Sequence, residues 1–213
     1  MVIVITGAPY SGRRTMALSV IRSQLNAVPV PITTTSTNSY TDDLKYSSIP
    51  EEEFLQKYEN GEFVGCEKYC GHLFGILKSD LDNILKTGAI AIIMVEPAQA
   101  RFAGRKFCES NIRAVCLYMH CSTRAMLFRM AAAARKNSVG GCPSSYEDIL
   151  EIYANNAVEY SNLQLDYEKD EGFDRVIPVN SDSLTGSCYP QKVIGPILGT
   201  LRNLVRVPFA KSI

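Results

Sequence analysis

The first fifteen residues restrict the fold more than any other part of the chain. Val2-Ile3-Val4-Ile5-Thr6 is a β-branched run, apolar on both faces, which is the pattern of a central parallel strand covered above and below. It leads at once into Gly7-Ala8-Pro9-Tyr10-Ser11-Gly12, where two glycines bracket a short loop. From Arg13 onward, Met16, Val20, Ile21 and Leu25 recur near helical spacing, which predicts a helix over 13–26. A doubly buried strand, a glycine loop and a helix in that order commit the chain to an α/β architecture, because parallel strands are joined by crossover helices.

The rest of the sequence keeps that alternation. Pro29 and Pro31 punctuate after the first helix, and the Thr-rich stretch 33–48 predicts a loop or an exposed edge strand. Ser48 and Glu51 fit a capping box with Pro50 in the first turn, opening a helix over 51–59 that ends at Asn60-Gly61. Short strands are expected at 63–69 and near Leu73, with His72 in the turn between them and Cys66 and Cys70 buried on one strand face. A helix over 78–87 carries Leu81, Ile84 and Leu85 and stops at Gly88. Further buried strands are expected at 89–95, 112–119 and 173–179. Further helices are expected at 97–108, 122–136, 146–164 and 189–202, the last interrupted near Pro196. A loop is expected at 137–145. The pattern predicts a parallel sheet with helices on both faces and no internal repeat.

Composition narrows the function classes. A chain of 213 residues suits a single domain. Twenty-two Lys and Arg balance 22 Asp and Glu, which gives no basis for general nucleic-acid or membrane-surface binding. No apolar run approaches the roughly 18 residues of a membrane span. The seven cysteines form no C-x-x-C pair and have only His72 and His120 for company, so no metal-ligand set is expected. Thiols of this kind, with no signal-peptide pattern at the start, point to the cytoplasm.

The loop itself carries chemistry. Gly7 to Gly12 has the glycine frame of a P-loop, G-x-x-x-x-G, whose backbone N–H groups turn inward on phosphate oxygens at a helix N-terminus. The candidate phosphate contacts are Gly7, Ser11, Gly12, Arg13, Arg14 and Thr15. Where the motif has Lys followed by Ser or Thr, the chain has Arg13-Arg14. Arg13 keeps a cation but is a planar fork with a longer reach. Arg14 has no oxygen to offer Mg²⁺, and Thr15 stands one residue late. Two cations in the first helical turn oppose the helix dipole by roughly 0.3–1 kcal/mol each. Either an anion in the loop offsets that cost, or both side chains turn to solvent and the loop binds nothing.

Over residues 2–205 the order of segments resembles guanylate kinase and the guanylate-kinase-like domains of scaffold proteins. The matches are the P-loop frame, the Thr-rich segment, Tyr46 with Phe54, Glu59-Asn60-Gly61-Glu62-Phe63, Gly71-His72-Leu73-Phe74-Gly75, and 173–180 ending in Asn180. The resemblance implies a three-layer α/β/α P-loop fold with a central parallel sheet, a small mixed β subdomain for the acceptor and a helical lid. It implies one domain, with a core of 1–32 and 77–213, an acceptor-binding insertion at 33–76 and a lid at about 130–150. It also implies ATP, Mg²⁺ and GMP as ligands of an active member. Carried over by position, Thr35, Ser36, Tyr46, Phe74 and Glu96 line the acceptor site, Asn180 lies near the adenine, and Arg13, Arg129 and Arg135 are the catalytic cations.

The departures fall on the chemistry. The family binds the acceptor phosphate with two arginines, but this chain has no Arg or Lys between Arg22 and Lys45. The motif Tyr becomes Phe74, the small polar residue after it becomes Ile76, and the guanine-contacting Glu becomes Gly65. The expected function is therefore a guanylate-kinase-like protein with lost or severely impaired kinase activity, acting as a protein-interaction module with residual nucleotide or anion binding. A divergent active guanylate or nucleoside-monophosphate kinase is the alternative, and phosphopeptide binding a third reading.

Overall fold

A computed structural model describes residues 1–7, 11–23, 25–37, 44–69, 71–95, 100, 103, 104, 106, 107, 109–121, 125, 126, 129, 175–178 and 191–206. In chain order the elements are β1 (Val2–Thr6), α1 (Arg13–Ile21), β2 (Ala27–Pro29), β3 (Ile32–Thr34), β4 (Tyr46–Ser48), α2 (Glu51–Glu59), β5 (Phe63–Tyr69), β6 (His72–Leu77), α3 (Lys78–Lys86), β7 (Ile90–Met94), β8 (Ala114–His120), β9 (Arg175–Pro178) and α4 (Gln191–Arg206). The described positions between 100 and 109 are helical, as are 125, 126 and 129.

Five strands form a parallel sheet in the order β2-β7-β1-β8-β9. β1 lies at its centre with every residue buried. Because side chains alternate across a strand, Ile3 and Ile5 join Met16, Ala17 and Val20 of α1 and Leu201 of α4 in one core. Val2 and Val4 join Leu81 of α3 and Ala100, Ala103 and Phe107 in the other. The doubly apolar run thus fills two cores at once, giving the three-layer α/β/α arrangement expected from the sequence. Each fully buried aliphatic side chain contributes about 1.5–3 kcal/mol.

The second sheet is mixed, in the order β4-β3-β6-β5: β3 runs parallel to β4 and antiparallel to β6, and β5 and β6 form a hairpin. It is fastened to the core at both ends. Leu44 and Tyr46 pack on the core beside α1, while Ile76 and Val64 pack on the core beside α3.

Several expectations need correction. Pro29 does more than punctuate: β2 pairs with β7 at the sheet edge, where Pro29 sits opposite Ile92 and an absent N–H is tolerated. The Thr-rich stretch 33–48 divides: β4 at its end is an exposed edge strand as expected, but β3 lies between two strands, with Thr33 and Thr34 each 1% exposed. Their β-branched side chains suit a pleated surface, and the Thr34 hydroxyl accepts the Ser36 N–H at 3.1 Å. The capping box is absent. Pro50 is the N-cap of α2 with no side-chain cap bond, because β4 continues through Ser48, opposite Thr34, and the Ile49 N–H bonds the Thr34 carbonyl. Helix α1 ends at Ile21, short of 26. Finally, α4 runs unbroken past Pro196. One proline removes one rung, and the buried Leu201 and remaining bonds carry the helix. The expected loop at 137–145, helix at 146–164, lid at 130–150 and Cys70 lie outside the described residues.

Helix α2 shows how lightly one element is held. Glu51, Glu52 and Glu53 in its first turn complement the dipole, and Glu53 pairs with Lys57 at 3.7 Å. Only Phe54 is buried, stacked on Phe63 with ring centroids 4.5 Å apart. Phe54→Ala is expected to lower the unfolding free energy by about 3–5 kcal/mol in urea titration. Leu55→Ala, at a site 46% exposed, should change it by no more than about 0.5 kcal/mol.

Cys66, Cys116 and Cys121 are in no disulfide among the described residues. Burial pushes the Cys66 thiol up to about 12. It also raises that of Cys121, against the opposing pull of the Arg129 charge. A raised thiol pKa leaves almost no reactive thiolate at pH 8. Iodoacetamide followed by peptide mapping should find Cys66 and Cys121 unlabelled in the folded protein and labelled after unfolding in urea. Cys66 is half-buried, not buried as the sequence suggests, and Cys121 is fully buried; folded-state labelling at the unfolded rate would contradict that shielding.

Candidate active site

The parallel sheet presents the carboxyl ends of β1, β7 and β8 along one edge, which is where open α/β sheets receive ligands. Gly7 leaves β1 there with φ 143°, and a Cβ on it would lie 2.6 Å from both the Met119 carbonyl oxygen and the Ser11 hydroxyl. Only glycine fits. Gly12 is the N-cap of α1 at φ 99°, again a glycine conformation. The two frame glycines thus have separate local reasons: close approach to β8 for the first and a left-handed helix entry for the second. Ser11 between them is fully buried.

Helix α1 starts without an acidic residue in its first turn and without a side-chain cap. Arg13 and Arg14 instead meet partners on the second sheet. Arg13 Nη1 donates to the Val95 carbonyl oxygen at 3.3 Å, just past the end of β7, and to Glu67 Oε2 on β5 at 3.4 Å. Both side chains of that ion pair are largely shielded, with 17% and 23% exposed. Arg14 Nη1 donates to the Tyr46 hydroxyl oxygen at 2.7 Å, and its guanidinium lies 5.7 Å from the centre of the Tyr46 ring. Arg13 therefore does not turn to solvent, whereas Arg14 is exposed and bonds Tyr46 from the surface. Acceptors stand within their reach.

Strand register explains why. Glu67 is opposite Phe74, Phe74 is opposite Thr34, and Thr34 is aligned with Ser48, two residues from Tyr46. With a period of two, Glu67, Phe74, Thr34 and Tyr46 share one face of the small sheet. Tyr46 is on one edge strand and Glu67 on the other, so the two arginines reach opposite edges of that face.

The remaining candidates divide. The Thr35 hydroxyl accepts the Leu73 N–H at 2.9 Å, while the Thr35 N–H bonds the Leu73 carbonyl at 3.0 Å. Thr35 therefore prolongs the β3–β6 ladder. Ser36 is fully buried and Phe74 half-buried. The backbone of Thr15 accepts a bond from Ser19 within α1. Arg129 Nη1 lies 3.6 Å from Cys121 Sγ at the end of β8, so it stands beside the same sheet edge. Glu96, Arg135 and Asn180 lie outside the described residues. Gly75, the last motif glycine, has a structural reason: a Cβ there would lie 2.7 Å from the Phe63 ring.

Glu67 was not singled out from the sequence. The available signal was periodicity, since it stands two residues past Gly65 and hence on the face where the resemblance places a carboxylate. Residues 8–10 of the loop lie outside the described residues; a helix N-terminus entered through a left-handed glycine, as α1 is at Gly12, is a setting that suits an anion. The position next to it does not suit Mg²⁺. It holds the Arg14 guanidinium, and among the described residues no three His, Cys, Asp or Glu side chains cluster to replace the missing oxygen.

Comparison with known proteins agrees with this architecture. The family model described as guanylate kinase matches residues 1–177. The guanylate kinase of Thermotoga maritima is 30% identical over 106 residues, covering 49% of this chain and 51% of that protein. The guanylate kinase of Fusobacterium nucleatum is 27% identical over 112 residues, covering 51% and 60%. This chain thus spans little more than half the length of these two relatives. The crystal structure of guanylate kinase from Anaplasma phagocytophilum superposes with a TM-score of 0.56 at 13% identity, covering 97% of this chain and 86% of that one, a likeness of fold. With the family match running over most of its length, the chain belongs to the guanylate kinase family.

Proposed function

We propose that this family member has lost, or nearly lost, phosphoryl transfer and acts by binding, as a protein-interaction module whose P-loop retains affinity for an anion or nucleotide such as ATP or GMP. The observation that carries the reading is that the two side chains at the P-loop Lys and Ser/Thr positions are arginines held by Glu67, the Val95 carbonyl and Tyr46. Phosphoryl transfer depends on positioned charge around the transferring group. Here that charge is paired within the protein, Arg14 stands where a magnesium-binding hydroxyl is needed, and the acceptor segment offers the Thr35 and Ser36 hydroxyls in place of guanidiniums. On this reading, 1–213 is one domain, with a core of 1–32 and 77–213, an acceptor-like insertion at 33–76 and a lid at about 130–150, working in the cytoplasm. The same reading takes Arg129 and Arg135 as the cations of the lid entrance, Asn180 as a nucleotide contact near the adenine and Glu96 as an acceptor-site residue.

The alternative is a divergent nucleoside-monophosphate kinase using ATP and Mg²⁺. One observation favours it: Arg13 keeps a cation at the P-loop, beside the end of β7. A coupled assay with ATP, Mg²⁺ and each common nucleoside monophosphate separates the two. The proposal expects no turnover, and no gain from Arg13→Lys combined with Arg14→Ser alone, because the acceptor segment still lacks its arginines. Turnover in the usual kinase range of roughly 1–100 s⁻¹ would refute it.

A further inference from the structure

We propose that Glu67 is an internal competitor for the P-loop cation, a carboxylate that occupies the Arg13 guanidinium when the cleft is empty and that a polyanion must displace to bind. The inference rests on the reading above that the loop can take an anion. It adds the residue that sets how tightly the loop does so.

The geometry supports a displaceable contact. Arg13 divides a single nitrogen between the Val95 carbonyl at 3.3 Å and Glu67 at 3.4 Å, both at the long end for such bonds. The pairing with Glu67 is one-pronged, whereas guanidinium and carboxylate can pair through two parallel bonds. A phosphate chain brings several oxygens and more charge, so it outcompetes one carboxylate for this fork. The pair is also partly shielded, at 17% and 23% exposure, so solvent screens the attraction between Arg13 and Glu67 only in part.

The position of Glu67 makes the contact a closure. It stands on β5 of the small sheet, and Val95 follows β7 of the core, so Arg13 ties the two sheets together across the cleft. Tyr46, held by Arg14, is a second tie at the opposite edge. Displacing Glu67 loosens one edge of the small sheet and leaves the other fixed.

Titration calorimetry with inorganic tripolyphosphate, without metal, tests this on wild type, Glu67→Gln, Arg13→Ala and the double variant, with thermal melts to confirm folding. Glu67→Gln should tighten binding by roughly threefold or more, the scale of a weak ion pair. Arg13→Ala should weaken binding, and Glu67→Gln should give no gain in the Arg13→Ala background, a pattern that a general charge effect of Glu67 would not produce. Glu67→Ala should show the tightening even where a glutamine at 67 still bonds Arg13. If wild type binds and both Glu67 variants bind equally or more weakly, the competitor role is overturned and the anion reading stands. If neither wild type nor the Glu67 variants bind, the anion reading falls, and the competitor role with it.

Discussion

Two positive side chains at the positive end of a helix are the constraint around which this site is organised. Arg13 and Arg14 open α1 with no acid in the first turn and no cap, an arrangement that by itself weakens the helix. A phosphate held at the helix N-terminus would offset that cost. In this protein the negative partners are built in: a carboxylate, a backbone carbonyl, and a phenol with its ring face. All but the carbonyl belong to the small sheet, so stabilising the helix start also fixes how that sheet sits over the sheet edge.

The same arrangement links fold to function. β1 fills both cores, which places Gly7 against the Met119 carbonyl and fixes where the loop begins. The small sheet, fastened by Leu44, Tyr46, Val64 and Ile76, brings Glu67 and Tyr46 to the start of α1. Any ligand bound at the start of α1 therefore competes with the protein's own contacts. Thr35 is likewise engaged in the small sheet, where its hydroxyl accepts a backbone N–H of β6.

Sequence reasoning succeeded where local chemistry decides the outcome. The buried strands, the glycine ends of α2 and α3 and the glycine frame all follow from side-chain period and backbone freedom. It failed where a distant partner decides. Thr33 and Thr34 look solvent-facing until β4 and β6 cover them. Ser48 has the right spacing for a cap, but pairing with Thr34 draws it into a strand. Pro196 breaks isolated helices, yet packing carries α4 past it. In the site, Gly7, Gly12 and Tyr46 were legible because the motif names them. The partner of Arg13 was not, since Glu67 lies 54 residues away and only the register of β5 on β6 faces it toward the loop.

The central claim, that the P-loop cation is engaged by the small sheet, is tested most directly by a double-mutant cycle on unfolding free energy using Arg13→Ala and Glu67→Ala. A partly shielded ion pair predicts a favourable coupling of about 0.5–1 kcal/mol. Additive effects, with coupling below about 0.3 kcal/mol, would mean that Arg13 and Glu67 do not hold each other in solution.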